Sequence, residues 1–248
     1  MYSSVAMTGC DHCVVRNRAI CSTLDAAELA ALNQISHHRE LKAGQTLAWE
    51  GDESFQVANV IEGVLKLSAS LSDGREQIVG VAYPSDFVGR PYGSQNRQTI
   101  TAITDVRLCA FRRVDFERFS ADHPDLEHKI LQRTLTELDR ARQWMLLLGR
   151  KSAREKLASF LLEMSERLAD SGCQSRALPA DQFGLPFGRQ QIADILGLTI
   201  ETVSRQLTEL KRSGFIELPD NRTVIIKDRK RLEQMTDQPG SAREGKRH

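Results

Sequence analysis

Five of the 248 residues are cysteine, and three of them, Cys10, Cys13 and Cys21, fall within twelve positions of one another. Met1 to Gly9 lacks the charged and apolar regions of a secretory signal, and no apolar run approaches the roughly 20 residues that span a bilayer. A cytoplasmic setting with no membrane association is therefore expected. In a reducing compartment a disulfide set explains clustered cysteines poorly, and metal binding explains them better. A second group of residues suits a different chemistry. In Gly188–Leu210, Glu201, Ser204 and Arg205 are related by i, i+3 and i+4, so on a helix they share one face. Arg pairs bidentately with guanine, Glu accepts from the cytosine amino group, and Ser adapts to either. Thr202, Gln206, Lys211 and Arg212 stand where phosphate contacts are expected.

The elements that would carry this second group are legible. Ile192, Ala193 and Leu196 mark the inner face of one helix, and Gly197 supplies a tight turn. Leu198 plugs the corner, Thr199 caps a second helix, and Val203, Leu207 and Leu210 line its inner face. This is helix-turn-helix spacing over about 187–214, in which the second helix enters the major groove. Phe215–Leu218 and Val224–Ile226, around Pro219-Asp-Asn-Arg222, read as a hairpin wing. The bland alternative is an ordinary helical domain with a Glu201–Arg205 surface ion pair. The coincidence of turn, helix lengths and groove-facing chemistry favours DNA.

Upstream, Val57–Ile61, Val64–Leu71, Gln77–Tyr83 and Thr99–Phe111 are short β-rich runs separated by turn signals, as in a small sandwich or jelly roll. Ser22 or Thr23 is expected to cap a short helix before them. Beyond Phe116 the pattern is helical. Leu131, Thr134, Leu138, Ala141, Met145 and Leu148 recur at spacings of 3 and 4, the seam of a coiled coil. A two-fold homodimer is the simplest closed arrangement. Leu135 and Leu146–Leu147 are expected to pack on their own domain, and Gly149 to permit a hinge before a helix over about 152–169. Residues 171–184 read as a loop or short strand. The expected class is α+β. Its parts are a cysteine-bearing segment over 1–22, a jelly-roll sensor domain over 23–122 and a dimerisation helix over 123–149. A winged helix-turn-helix over 150–236 and a disordered tail over 237–248 complete it.

Composition fits a soluble globular chain, 40% hydrophobic and 27% charged. The net charge of +1 conceals an asymmetry: residues 1–149 carry 16 basic and 19 acidic side chains, residues 150–248 carry 18 and 14. A basic C-terminal half suits a polyanionic partner. No Gly-rich phosphate loop, nucleophile–base pair or paired acid–base site stands out, so an enzyme is not expected. Another class, a ligand- or metal-binding module using its winged domain for protein contacts, stays open.

This order of elements resembles the cyclic-AMP receptor and FNR superfamily of bacterial transcription regulators over nearly all of residues 10–235. Glu201-Thr-Val-Ser-Arg205 matches the E-x-x-S-R signature of FNR-type recognition helices, and Trp144-Met-Leu-Leu-Leu-Gly149 the end of their dimer helix. The FnrL- and FixK-like branch is most similar. The resemblance implies an oxygen-labile 4Fe–4S cluster held by Cys10, Cys13, Cys21 and Cys109. It also implies an activator that contacts RNA polymerase and binds an inverted repeat of TTGAT half-sites. Read from the residues alone, four thiolates suit a 4Fe–4S cluster or tetrahedral zinc. A zinc knuckle would normally add a second close pair, whereas the fourth ligand here comes from a distant strand. Cys109 also reads as a small buried core residue. Cys173 reads as a spare thiol and His12 as an exposed loop residue. Cyclic-nucleotide pockets in the superfamily use Gly-Glu and Arg-Ser pairs; here Gly89 is followed by Arg90, and the later stretch is Arg97-Gln-Thr99, which argues against a cyclic nucleotide. Ala141 replaces an acidic residue found nearby in enterobacterial relatives, which favours dimers even without the cluster.

Overall fold

The computed structural model describes residues 10, 13–170 and 181–236. Cys173, His12 and the expected tail lie outside the described residues. The chain forms two compact units, residues 1–140 and 141–248, with one long helix continuing across the division.

In the first unit a 3-10 turn, Ile20–Thr23, precedes helix α1, Ala26–Gln34. Its cap is Asp25, not Ser22 or Thr23. The Glu28 N–H donates to the Asp25 carboxylate at 2.8 Å, and the Asp25 N–H donates to the Glu28 carboxylate at 2.9 Å. That closed capping box satisfies two otherwise orphaned amides, while the preceding 3-10 turn already uses Ser22 and Thr23.

Eight strands follow: β1 Ser36–Leu41, β2 Thr46–Ala48, β3 Gln56–Glu62, β4 Leu65–Ser70, β5 Glu76–Ala82, β6 Phe87–Val88, β7 Thr99–Ala102 and β8 Val106–Arg112. They pair antiparallel into two four-stranded sheets, β1-β8-β3-β6 and β2-β7-β4-β5, a jelly roll. The run read as one strand from Thr99 to Phe111 is two, broken at residues 103–105. There Gly63, at φ +84, lets the β3–β4 turn press against the backbone; a Cβ on it would meet the Asp105 carbonyl at 2.2 Å.

Strand alternation sorts the apolar residues into two cores. Ala58 and Val60 of β3 and Val106, Leu108 and Ala110 of β8 fill the interior between the sheets, with Leu65, Ile100 and Ala102. Val57, Ile61 and Phe111 point the opposite way, into a second cluster on the outer face of the first sheet. That cluster is roofed by Val15, Ala19, Ile20 and Leu24, by Leu29 and Leu32 of α1, and by Phe116 of helix α2, Arg113–Ala121.

Helix α3, Pro124–Arg150, carries two stripes. Leu126, Ile130, Arg133, Arg140, Trp144 and Leu147 are withdrawn from solvent. On the other side Leu131, Thr134, Leu138, Ala141 and Met145 are exposed, Met145 at 73%. Leu148 is partly covered. Of the three leucines expected to pack on their own domain only Leu147 is buried; Leu135 and Leu146 are exposed and widen the apolar seam. The helix also runs through Gly149, where a hinge was expected. It breaks at 151–152, because Ser152 and Glu155 form the box that starts α4, Ala153–Asp170.

The second unit continues with β9 Gln182–Gly184, α5 Arg189–Leu196, α6 Ile200–Arg212, β10 Ile216–Glu217, β11 Thr223–Ile226 and α7 Arg229–Thr236. The strands form one sheet in the order β10-β11-β9. Leu157, Phe160 and Leu161 of α4 share the core with Phe187, Ile192, Leu196, Val203, Leu207 and Leu210. Helix α7, absent from the sequence reading, packs on α4 and buries Leu232 and Thr236.

Candidate thiol site and nucleic-acid interface

The cysteines gather in the outer-face cluster. Cys21, in the 3-10 turn, is 8% exposed, and Cys10, Cys13 and Cys109 pack against the same group of residues. The Cys13 N–H donates to the Cys10 carbonyl at 3.3 Å, and the Ala19 N–H donates to the Val15 carbonyl at 2.8 Å. These turns fold the segment back on itself, so cysteines far apart in an extended chain come together. Cys109 stands on β8 in register with His38 of β1 and Asn59 of β3. All four are thiols without a disulfide.

Their electrostatics show mutual proximity. Burial, then the neighbouring Cys13 and Cys10, push the Cys21 thiol up to about 11, with Arg16 opposing. Burial, then Cys10 and Cys21, push Cys109 up to about 12. Among the described residues no three Cys, His, Asp or Glu side chains converge closely enough to hold one metal ion. A single zinc would draw its sulfurs to about 3.8 Å from each other, given Zn–S bonds near 2.3 Å.

Among the described residues, Asn33, Ser36 and Asn59 adjoin the thiols, and sequence reasoning found none of the three. The Cys10 thiol donates to Asn33 Oδ1 at 3.4 Å, and the Ser36 hydroxyl donates to the Asn33 carbonyl at 2.9 Å. Asn59 is 3% exposed, and its Oδ1 has no hydrogen-bond partner. It lies directly across from Cys109, between Val57 and Ile61 on the outward face of β3. A carboxamide in that phase of Gln-Val-Ala-Asn-Val-Ile-Glu was the available signal. Such a group fits a site whose occupant offers it a hydrogen-bond partner.

In the second unit α5 and α6 meet at Gly197, φ 60 and ψ 45, a left-handed turn suited to glycine. The Thr199 hydroxyl accepts from the Thr202 N–H at 3.3 Å and caps α6. Glu201, Ser204, Arg205, Lys211 and Arg212 are all exposed. The Glu201 carboxyl is held below the usual range by its own backbone N–H and by Thr199, so it is an anionic acceptor at neutral pH. Thr202 is half-buried, its hydroxyl 3.1 Å from that of Thr199. Gln206 departs from expectation. Three residues after Val203 and beside Leu207, it falls on the apolar face and is buried, with its Oε1 unpartnered. Thr208, one turn beyond Ser204, is exposed in its place and extends the stripe.

Comparisons with known proteins agree with both halves. A cyclic nucleotide-binding domain family matches residues 38–123, and a Crp-like helix-turn-helix domain family matches residues 155–235. The chain is 47% identical over 223 residues to the transcriptional activator protein FnrL of Cereibacter sphaeroides, covering 90% of each chain. It is 43% identical over 209 residues to the nitrogen fixation regulation protein FixK of Bradyrhizobium diazoefficiens, covering 84% of this chain and 86% of that one. The structure of FixK2 from Bradyrhizobium japonicum superposes with a TM-score of 0.75 at 32% identity, over 82% of this chain and 98% of that one. With a jelly roll, a long helix and a winged helix-turn-helix in that order, and relatives of this identity along nearly its whole length, the chain belongs to the Crp/FNR family of transcription regulators.

Proposed function

We propose that this regulator is an oxygen-responsive transcription activator. In this reading it binds a palindromic operator as a homodimer and holds an oxygen-labile 4Fe–4S cluster through Cys10, Cys13, Cys21 and Cys109. The observation that carries the reading is the gathering of four thiols at one apolar cluster on the outer face of the jelly roll. Redox-sensing cysteines that act without metal need a lowered pKa and exposure. Here burial raises Cys21 and Cys109, which disfavours that alternative. The thiols influence one another, and a fourth thiol on a distant strand, rather than in a second close pair, suits a cluster better than a zinc knuckle.

When bound, the cluster supplies an oxygen-labile crosslink between the N-terminal segment and β8. The remaining work belongs to the chain. The roof residues Val15, Ile20 and Leu24 give the thiols an apolar flank, and Asn33 and Ser36 hold hydrogen bonds at its edge. The exposed stripe of α3 offers a partner helix Leu131, Leu138 and Met145. On DNA, Arg205 pairs with the guanine of a TTGAT half-site, Glu201 accepts from a cytosine amino group, and Ser204 contacts a thymine. Lys211 and Arg212 neutralise phosphate. RNA polymerase is the expected protein partner of the bound dimer. A cyclic nucleotide is not proposed: Arg90 supplies no ribose acceptor, and the space between the sheets is filled by side chains such as Val60, Leu65 and Leu108.

The test is iron and acid-labile sulfide analysis of anaerobically prepared protein. A brown preparation with iron and sulfide in equal amounts, bleaching in air, is expected. Serine in place of any of Cys10, Cys13, Cys21 or Cys109 should abolish the colour, and Cys173→Ser should keep it. Normal iron content in Cys109→Ser would overturn the ligand set, and a colourless zinc protein would overturn the cluster.

A further inference from the structure

We propose that Arg133 is a positioning residue that carries the state of the cysteine segment to the dimer seam; this rests on the cluster and homodimer reading above. Helix α3 works on two sides. Its exposed stripe holds Leu131, Thr134 and Leu138, and its withdrawn stripe enters the thiol cluster through Leu126 and Ile130. Arg133 is the next step of that withdrawn stripe. Its guanidinium Nη2 donates to the backbone carbonyl of Arg18, which lies between Cys13 and Cys21. Its Nη1 is 3.8 Å from Asp86 Oδ1, whose side chain is 13% exposed. Asp86 is itself held in place, its Oδ2 accepting from the Tyr83 N–H at 3.0 Å.

The acceptor is a main-chain carbonyl, so the bond depends on the conformation of the segment rather than on its side chains. A segment pinned at Cys13 and Cys21 presents that carbonyl to Arg133. A segment released from its ligands leaves the guanidinium with the longer Asp86 contact. The apolar contacts of Leu126 and Ile130 are non-directional and tolerate a shifted segment, whereas a planar fork on one carbonyl does not. Arg133 also lies between Leu131 and Thr134 in sequence, so a change in its partner acts at the seam through a single turn of rigid helix. A symmetric dimer holds two such clasps. A charge-assisted bond is worth roughly tenfold in an equilibrium; because only the difference between monomer and dimer counts, two clasps that close in the dimer and open in the monomer change dimer affinity by up to roughly a hundredfold.

The experiment measures the dimer dissociation constant by sedimentation, anaerobically, for the parent, Arg133→Leu and Arg133→Lys. Each is studied loaded with iron and sulfide and again after chelator treatment. The proposal expects Arg133→Leu to keep the parent's iron and sulfide content while its loaded dimer weakens by up to roughly a hundredfold, toward the iron-free value. The iron-free dimers of parent and variant should match. Arg133→Lys, which keeps one cationic donor, should recover part of the difference. Equal weakening of loaded and iron-free Arg133→Leu would show a merely structural role and overturn the proposal, as would no weakening of either. A parent free of iron and sulfide would overturn the cluster reading itself, and this proposal with it.

Discussion

At the scale of single residues, burial decides what the thiols do before any ligand arrives. Cys21 near 11 and Cys109 near 12 hold their protons far more tightly in the folded chain than an ordinary thiol near 9. A group whose pKa is raised on folding stabilises the fold fully below the unfolded value, and that contribution is lost as pH rises toward the folded value. The metal-free protein should therefore lose stability between about pH 9 and 11, and urea midpoints at pH 7.5 and 10 will show it; Cys109→Ala should lessen the difference between the two. Binding of the proposed cluster must displace these protons, so its reconstitution should slow as pH falls. On α6, Arg205→Ala should cost roughly 1–3 kcal/mol per half-site and relax preference at one G·C pair only. Titrations at fixed salt against sites varied at that pair decide it, and equal loss for every variant would make Arg205 a phosphate contact. The exposure of Glu201, Ser204 and Arg205 was legible from i, i+3, i+4 spacing. Gln206 was misread because its chemistry was weighed ahead of its phase beside Val203 and Leu207.

At the scale of elements, α3 was the easiest to read and the easiest to under-read. Its 3–4 spacing announces one apolar stripe, but a helix with two working faces also needs the stripe through Leu126, Ile130, Arg133 and Leu147, where charge is mixed among the apolar residues. Leu138→Glu should give monomers by sedimentation and weaken operator binding, since a symmetric seam would bury that charge twice. A dimer that survives the change would place the interface elsewhere. The strands missed in the jelly roll were β1, β2 and β6. Ser-His-His-Arg-Glu-Leu shows no alternation, and β2 and β6 have only three and two residues. Such strands exist because neighbours pair with them, a non-local fact. The turn between α5 and α6 was local and therefore legible. Gly197→Val should destabilise the second unit by roughly 1–2 kcal/mol, measurable by thermal unfolding, because a β-branched residue resists a left-handed backbone.

At the scale of the whole molecule, the order of parts was written in the change of period from two to three-and-a-half, and the basic C-terminal half in plain counts. Lys211→Ala should weaken binding to all sequences alike and lower the slope of log affinity against log salt by about 1; a sequence-dependent loss would make Lys211 a base reader. What composition and spacing left unread was which face of β8 carries Cys109. That depends on strand phase relative to Leu108 and Ala110, and on a roof built from three separate stretches of chain. The position of that cysteine has a consequence for biosynthesis. Cys21 and Cys109 are 88 residues apart, so a ribosome adding about 5–20 residues per second exposes the first three thiols several seconds before the fourth. The strand bearing the fourth is also the one inserted between β1 and β3. A nascent chain therefore has no complete site to load, and the finished site arises only when the last strand of the roll enters its sheet. On the cluster reading proposed above, delivery of iron and sulfide would in that sense report whether the jelly roll has folded.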